Sequence, residues 1–431
     1  MTTPNPTATT TDMTASAGVK PSAPAQAPAD VAAHAEATVQ PGLTVAPKPR
    51  NVLRVLLVVG VIVLSIALIG VIAYEIWGLG PDAFALGGIM ALVPLTIVFF
   101  GVRWIDRWEP EPRLVIFFAF LWGAAAAVII ALLVDYRVSD WVNSDNGPGA
   151  DAYDFFGATI QAPLAEEGGK GLGVLLIFLI ARRYFDGPVD GIVYAAWIAG
   201  GFAFSENILY FGGQLLDSGG FDGDVGSIFL IRGIMSPFAH VMFTTCTGLA
   251  IGIAARRGYG PLGGIIAYLI GLVPAMALHA LWNGSLYFVS DFFGYYAVVQ
   301  FPLFLIALGV VIFLRRQEAK LTFTRLSEYA SAGWFAQDEV AALATGHGRR
   351  VAMAWARRSG KGKAMKRYIK DATSLAFARQ RIITGRDKVG AQADEAALLG
   401  AIVESRKNLV GVGVGVAGNT PPATPATPAT A

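Results

Sequence analysis

The sequence predicts an all-α, polytopic membrane protein with eight transmembrane helices and both termini in the cytoplasm. Three observations carry this expectation. Of 431 residues, 54% are apolar and only 15% charged, with a mean hydropathy of +0.54, whereas soluble domains run near ~25% charged. The polar residues are gathered at the two ends, so the middle is more apolar than the average. Basic residues also alternate between successive loops. The net charge of +2 is near neutral, and the single cysteine, Cys246, excludes an internal disulfide framework or a cysteine-based zinc cluster.

Residues 1–50 are rich in Ala, Pro and Thr, and 411–431 end in a Thr-Pro-Ala repeat. Neither stretch buries enough surface to offset its ordering entropy, so both read as disordered tails. The N-terminus is too long and polar for a signal peptide, which makes the first apolar run an uncleaved anchor. The predicted spans are 55–74, 83–102, 114–134, 154–181, 188–211, 228–254, 261–289 and 297–314, each near the ~20 residues that cross the hydrocarbon. The flank before the first span and the loops 103–113, 182–187, 255–260 and 315–320 hold thirteen Lys and Arg; the loops 75–82, 135–153, 212–227 and 290–296 hold only Arg137. Basic residues stay on the cytoplasmic side, which sets the orientation and an even number of crossings. The expected organisation is a tail over 1–50, a membrane domain over 51–316, a basic helical cytosolic region over 317–410 and a tail over 411–431.

The first three spans hold no charged residue, but the fourth holds Glu166, Glu167 and Lys170, the fifth Glu206 and Asn207, the sixth Arg232 and His240, and the seventh His279 and Asn283. An ionisable group at the bilayer centre costs at least ~2.5–3.5 kcal/mol, so each needs a partner or a water-filled cavity. Taken singly, these residues have structural readings. Glu166 and Lys170 neutralise each other at i, i+4, and Asn207 and Asn283 bond neighbouring helices. Their confinement to four consecutive helices argues instead for one shared site. At ~1.5 Å per residue, Glu166 and His240 lie ~18 Å, His279 ~15 Å and Glu206 ~8 Å from the outer ends of their spans. The site is therefore expected between the midplane and the outer interface. Gly168, Gly169, Gly171 and Gly173 should let spans five to seven pack closely against the fourth.

Two glutamates and two histidines in one cavity suit a hydrolase that activates water. A carboxylate serves as general base, and imidazoles and carboxylates can hold a divalent metal such as zinc. There is no H-E-x-x-H, and no G-x-S-x-G with a usable triad; Ser205 and Cys246 read as packing residues. The rival reading is a proton- or ion-coupled transporter using the same Glu/His cluster. It predicts two-fold internal repetition, which polar groups crowded into spans four to seven disfavour.

The stretches Glu166-Glu167-Gly168-Gly169-Lys170, Phe202-Ala203-Phe204-Ser205-Glu206-Asn207, the isolated His240 and His279-Ala280-Leu281-Trp282-Asn283 resemble the four-motif signature of the PrsW family of intramembrane proteases. The loop Asp106-Arg107-Trp108-Glu109-Pro110-Glu111-Pro112 resembles a D-x-x-E-P-E-P loop of that family, and the likeness covers roughly residues 80–315. The family is related to the type II CAAX prenyl endopeptidases. The resemblance implies a metal- or glutamate-dependent endopeptidase of the bacterial plasma membrane. Its substrate would be a membrane-embedded protein, such as an anti-sigma factor or other regulator, cut near its extracytoplasmic end. Glu166 or Glu167 would then activate water, with Lys170 offsetting their charge and screening mainly Glu166. Glu206, His240 and His279 would be metal or oxyanion ligands, Asn207 would belong to the same catalytic set, and Asn283 would orient His279.

Region 315–408 holds nineteen Lys and Arg against nine Asp and Glu. Its cluster Arg357, Arg358, Lys361, Lys363, Lys366, Arg367 and Lys370 is interleaved with Met353, Trp355, Met365, Tyr368 and Ile369, which suggests short amphipathic helices. They would form either a solvated appendage or a surface docked on the anionic inner leaflet. No nucleic-acid partner is expected.

Overall fold

The computed structural model describes residues 52–144, 150–386 and 388–410; both tails lie outside the described residues. Within them the chain is all helical, and six helices are long and apolar enough to cross a membrane. These are α1 (Val52–Ile105), α2 (Arg113–Val142), α4 (Pro188–Asp217), α5 (Gly223–Arg256), α6 (Pro261–Phe288) and α7 (Phe292–Ser331). Between α2 and α4, residues 150–180 form α3, a helix whose Glu166, Glu167 and Lys170 lower its hydropathy. Beyond α7 come α8 (Gln337–Ala344), α9 (Gly346–Arg358), α10 (Gly362–Ile383) and α11 (Lys388–Val410).

The helix α1 has 54 residues and would span about 80 Å if straight. It breaks at Gly80, where φ 73 and ψ 161 are open to glycine but strained for other residues, and Pro81 follows. Leu57 and Leu64 pack in one cluster with Tyr194 and Ile198 near the start of α4. Val98 and Val102 also meet that end, through Val189 and Val193. Leu79 and Ala83, flanking the break, meet Phe211 and Leu215 near the far end of α4. The chain therefore turns back at Gly80, and the two halves of α1 coincide with the segments expected as 55–74 and 83–102.

The glycines of α3 open two faces rather than one. A Cβ at Gly173 would lie 2.3 Å from the Trp122 ring and one at Gly169 3.4 Å from Ile130, both on α2. A Cβ at Gly171 would meet Tyr268 of α6 at 2.9 Å and Thr247 of α5 at 3.0 Å. The expectation that spans five to seven pack against this patch accounts for one of its two faces. Residues 169 and 173 share a face four apart, while 171 points to the other side of the helix, so α2 takes one face and α5 and α6 the other.

The helix α7 runs unbroken through the expected domain boundary at 316, and its end joins α8–α11 around a second core that includes Trp334, Tyr368, Leu375 and Ile402. This core takes up the apolar face of the region. Met365 and Tyr368 are buried in it and are not free to enter a bilayer, while Lys363, Lys366, Arg367 and Lys370 stay exposed on the opposite face. Other basic residues of the region are internal, with Arg406 3.0 Å from Glu339 and Arg379 3.1 Å from Glu328. The C-terminal helices are bound to the loops that follow α1 and α3 and to the last turn of α5. Arg349 lies 3.5 Å from the Trp108 ring centroid and donates to the Trp108 carbonyl at 3.0 Å. Arg381 pairs with Asp186 at 2.9 Å, Arg386 contacts the same carboxylate, and Arg386 donates to the Ala255 carbonyl at 3.3 Å.

Candidate active site

Successive residues on a helix point about 100° apart, so Glu166 and Glu167 reach the site from different directions and differ in burial. Glu167 faces the bundle interior and is fully buried. Its Oε1 lies 2.7 Å from Lys170 Nζ and 3.1 Å from His279 Nδ1, and its Oε2 accepts a 2.7 Å hydrogen bond from Thr244 Oγ1. Glu166 is held more loosely: its Oε2 is 3.3 Å from Lys170 Nζ and 3.9 Å from His279 Nε2, and 12% of the side chain remains exposed. Lys170 was expected to screen mainly Glu166, but the structure places it closer to Glu167, at i, i+3. Its Nζ also lies 3.2 Å from His240 Nδ1 and 4.1 Å from the Phe202 ring centroid.

The helix α5 is interrupted here. Its π-helical turn Phe229–Met235 ends at Ser236, Pro237 follows, and regular helix resumes at Ala239. Arg232 and His240 flank this break and converge on Glu206 of α4, at 2.7 Å and 2.8 Å. Arg232 Nε also donates to Asn207 Oδ1 at 3.0 Å. The His240 and His279 rings lie edge to face, 5.3 Å between centroids, and Phe243 stacks on His279 at 5.0 Å. A cavity of about 20 Å³, lined in part by His240, Asn207, Arg232 and Trp282, is large enough for one water molecule.

Glu166, Glu167, His240 and His279 each place one potential ligand atom within 4.8 Å of the others. Two imidazoles and two carboxylates are donors that suit a divalent ion such as zinc. With Lys170 offsetting one of the two carboxylates, their formal charge still favours a cation. Glu206 stands outside this group of four. It accepts from His240 Nε2 and leaves Nδ1 facing the cluster, as an orienting carboxylate behind a ligand histidine does. Asn283 donates at 2.8 Å to the Ala158 carbonyl and ties α6 to α3, rather than holding the His279 ring. Ser205 donates to the Ala124 carbonyl at 3.0 Å, a packing role. The sequence reading missed Thr244 altogether and gave Arg232 no task. Thr244 was detectable as the residue one turn after His240, on the same helix face.

The profile of the PrsW family of intramembrane metalloproteases matches residues 111–307. The chain is similar to Protease PrsW of Clostridioides difficile, 34% identical over 163 residues, which are 38% of this chain and 63% of that protein. It is also similar to Protease PrsW of Oceanobacillus iheyensis, 28% identical over 210 residues, 48% of this chain and 85% of that protein. With Protease PrsW of Geobacillus kaustophilus it shares 30% identity over 149 residues, 35% of this chain and 58% of that protein. The chain thus covers less than two thirds of the Clostridioides relative. No solved structure matches. The PrsW region contains every residue of the Glu/His cluster, begins at Glu111 inside the Asp106–Pro112 loop, and excludes α8–α11.

Proposed function

We propose that the chain is a PrsW-type intramembrane endopeptidase. The observation that carries this reading is the convergence of Glu166, Glu167, His240 and His279, from three helices, inside an apolar bundle. The two halves of α1 with α2–α7 make eight crossings with both termini in the cytoplasm of a bacterial plasma membrane. The thirteen-to-one division of basic residues between alternate loops supports that orientation. So does the gathering of the loops after α1 and α3 and the end of α5 on the face that holds the C-terminal helices.

The carboxylates divide the work. Glu167 accepts from Lys170, His279 and Thr244, so it is the more firmly held of the pair and orients His279. Glu166 is the looser of the pair and is the general base, taking a proton from water at Oε2. Glu206 fixes the His240 ring, and Arg232, beside the small cavity, stabilises the oxyanion that develops on the substrate carbonyl. Glu166, Glu167, His240 and His279 would hold a divalent metal, zinc by donor type, which when bound supplies Lewis-acid polarisation and a more acidic water. The site lies toward the outer half of the bilayer, so the cut falls near the extracytoplasmic end of a single-span membrane substrate, an anti-sigma factor or comparable regulator. A transmembrane peptide bond must leave its helix before water reaches it, and the freed backbone is easiest to satisfy near the interface.

The test is cleavage of a single-span model substrate by purified protein in liposomes, with and without chelator, beside a Glu166→Gln variant. Cleavage lost in the variant, at a bond near the outer end mapped by mass spectrometry, is the expected result. Proton or ion flux without cleavage would replace this reading with a transporter.

A further inference from the structure

Three cavities share walls and lead from the Glu/His cluster to the flank of the bundle. The one of about 20 Å³ beside His240 shares Ser236, Pro237 and Trp282 with a second of about 260 Å³. The second shares Phe238, Met242 and Phe304 with a third of about 300 Å³. Together they form a groove between the second half of α1 and α7, floored by α5. On α1 its wall is the stripe Pro94, Ile97, Gly101 and Ile105, at helical spacing. That stripe covers about 16 Å, or about three helical turns.

The helix α7 touches the bundle mainly at the two ends of this groove. Near the site, Phe304 stacks on Phe238 with 5.5 Å between ring centroids. At the other end, the Arg315 guanidinium lies 4.3 Å from the Trp104 ring centroid. Between them none of residues 301–317 is buried. The lower groove has no charged lining residue; Trp104, Met242, Thr245 and Cys246 are its only lining side chains with a polar or sulfur atom. A larger cavity, about 490 Å³, lies between α2, α3 and α6 and is lined by Leu164, Gly168 and Leu172 among others. No member of the Glu/His cluster reaches it. Of these two grooves, only the one along α7 is continuous with the chemistry.

We infer that the groove between the second half of α1 and α7 receives the substrate as one uncharged, apolar transmembrane helix, with its outer end delivered to His240. This inference rests on the endopeptidase reading and assigns its substrate path. An apolar helix fits the lower groove, whose walls offer van der Waals contact and no ionic partner. The groove ends where α5 is itself interrupted, at Ser236–Pro237, and there the substrate helix ends and unwinds. The helix α7, loosely packed between its two aromatic contacts, is the element that yields to admit it.

The experiment places photoreactive p-benzoylphenylalanine at Leu308 in this groove or at Leu172 in the larger one. The full chain in liposomes is irradiated with the single-span substrate, and an Ala307→Trp variant is assayed beside the wild type. The expected result is a substrate crosslink from position 308 and none from 172, with Ala307→Trp raising KM severalfold and leaving kcat near the wild-type value. Wild-type cleavage accompanied by crosslinks at 172, or by none at 308, overturns the groove and leaves the endopeptidase reading standing. No cleavage and no crosslink at either position overturns the endopeptidase reading itself.

Discussion

Lys170 Nζ lies 2.7 Å from Glu167 Oε1, and both side chains are fully buried. One ammonium thus contacts both carboxylates of the glutamate pair and, through His240 Nδ1, an imidazole. Removing one partner of a buried ion pair leaves an uncompensated charge, at a cost of about 3–5 kcal/mol.

Lys170→Met is expected to lower the thermal midpoint and abolish cleavage. Because a divalent cation among the same donors supplies the missing positive charge, added zinc should recover part of the stability in this variant. Thermal unfolding in detergent with and without zinc reads both effects. A wild-type midpoint in Lys170→Met would show that the ammonium is not needed to balance the carboxylates.

Glu206 and Asn283 should separate cleanly. Loss of a carboxylate behind a ligand histidine weakens metal affinity by about 10–100-fold. Glu206→Gln is therefore expected to bind zinc more weakly by calorimetry and to cleave more slowly. Asn283→Ala removes the bond from α6 to the Ala158 carbonyl, so its effect should fall on thermal stability, with metal affinity unchanged. Equal losses of affinity in both variants would put Asn283 back beside His279.

The loop after α1 carries a pH dependence with a definite sign. Burial pushes the Asp106 carboxyl from its ordinary range up to about 7; the Glu111 N–H opposes this, the Asp190 charge adds to it and Arg103 opposes it. Burial also raises Glu109 and Glu111 well above the usual carboxylate range. For Asp106, the folded-state value lies above the unfolded one, so the folded loop retains a proton that the unfolded chain has lost. Its stabilising contribution is full below about pH 4 and is lost as pH rises through about 7. Asp106→Asn should flatten that part of the decline in thermal midpoint. An unchanged pH slope in the variant would assign the dependence to other groups.

Asp186 holds Arg381 and Arg386 at the junction between the membrane helices and the C-terminal core. Asp186→Ala removes the carboxylate that two buried guanidinium groups share, leaving Arg381 only Asp394, and the junction should loosen. Limited trypsin digestion is expected to release α8–α11 faster than from wild type, while the core around Trp334 and Tyr368 stays folded as a resistant fragment. Identical digestion rates would mean that Arg349 on Trp108 suffices to hold the junction.

The sequence by itself determined the helical class, the reversal of α1 and the grouping of the intramembrane polar residues. Apolar runs of membrane-spanning length dictate helices, because backbone groups in hydrocarbon must be satisfied within their own segment. Charged groups in four successive spans have no inexpensive place except against one another, so Glu166, Glu167, Lys170, His240 and His279 could be grouped before any coordinates. Tertiary structure alone decided which atom meets which. That Lys170 favours Glu167 over Glu166, that Glu206 backs His240, and that Thr244 completes Glu167 depend on the rotation of each helix about its axis. That rotation is set by close contacts such as Gly173 against Trp122 and Gly171 against Tyr268. The C-terminal region shows the same division. Its amphipathic pattern gave helices with one apolar face, but an apolar face packs equally well against lipid or protein. Only the fold shows that Met365 and Tyr368 face their own core.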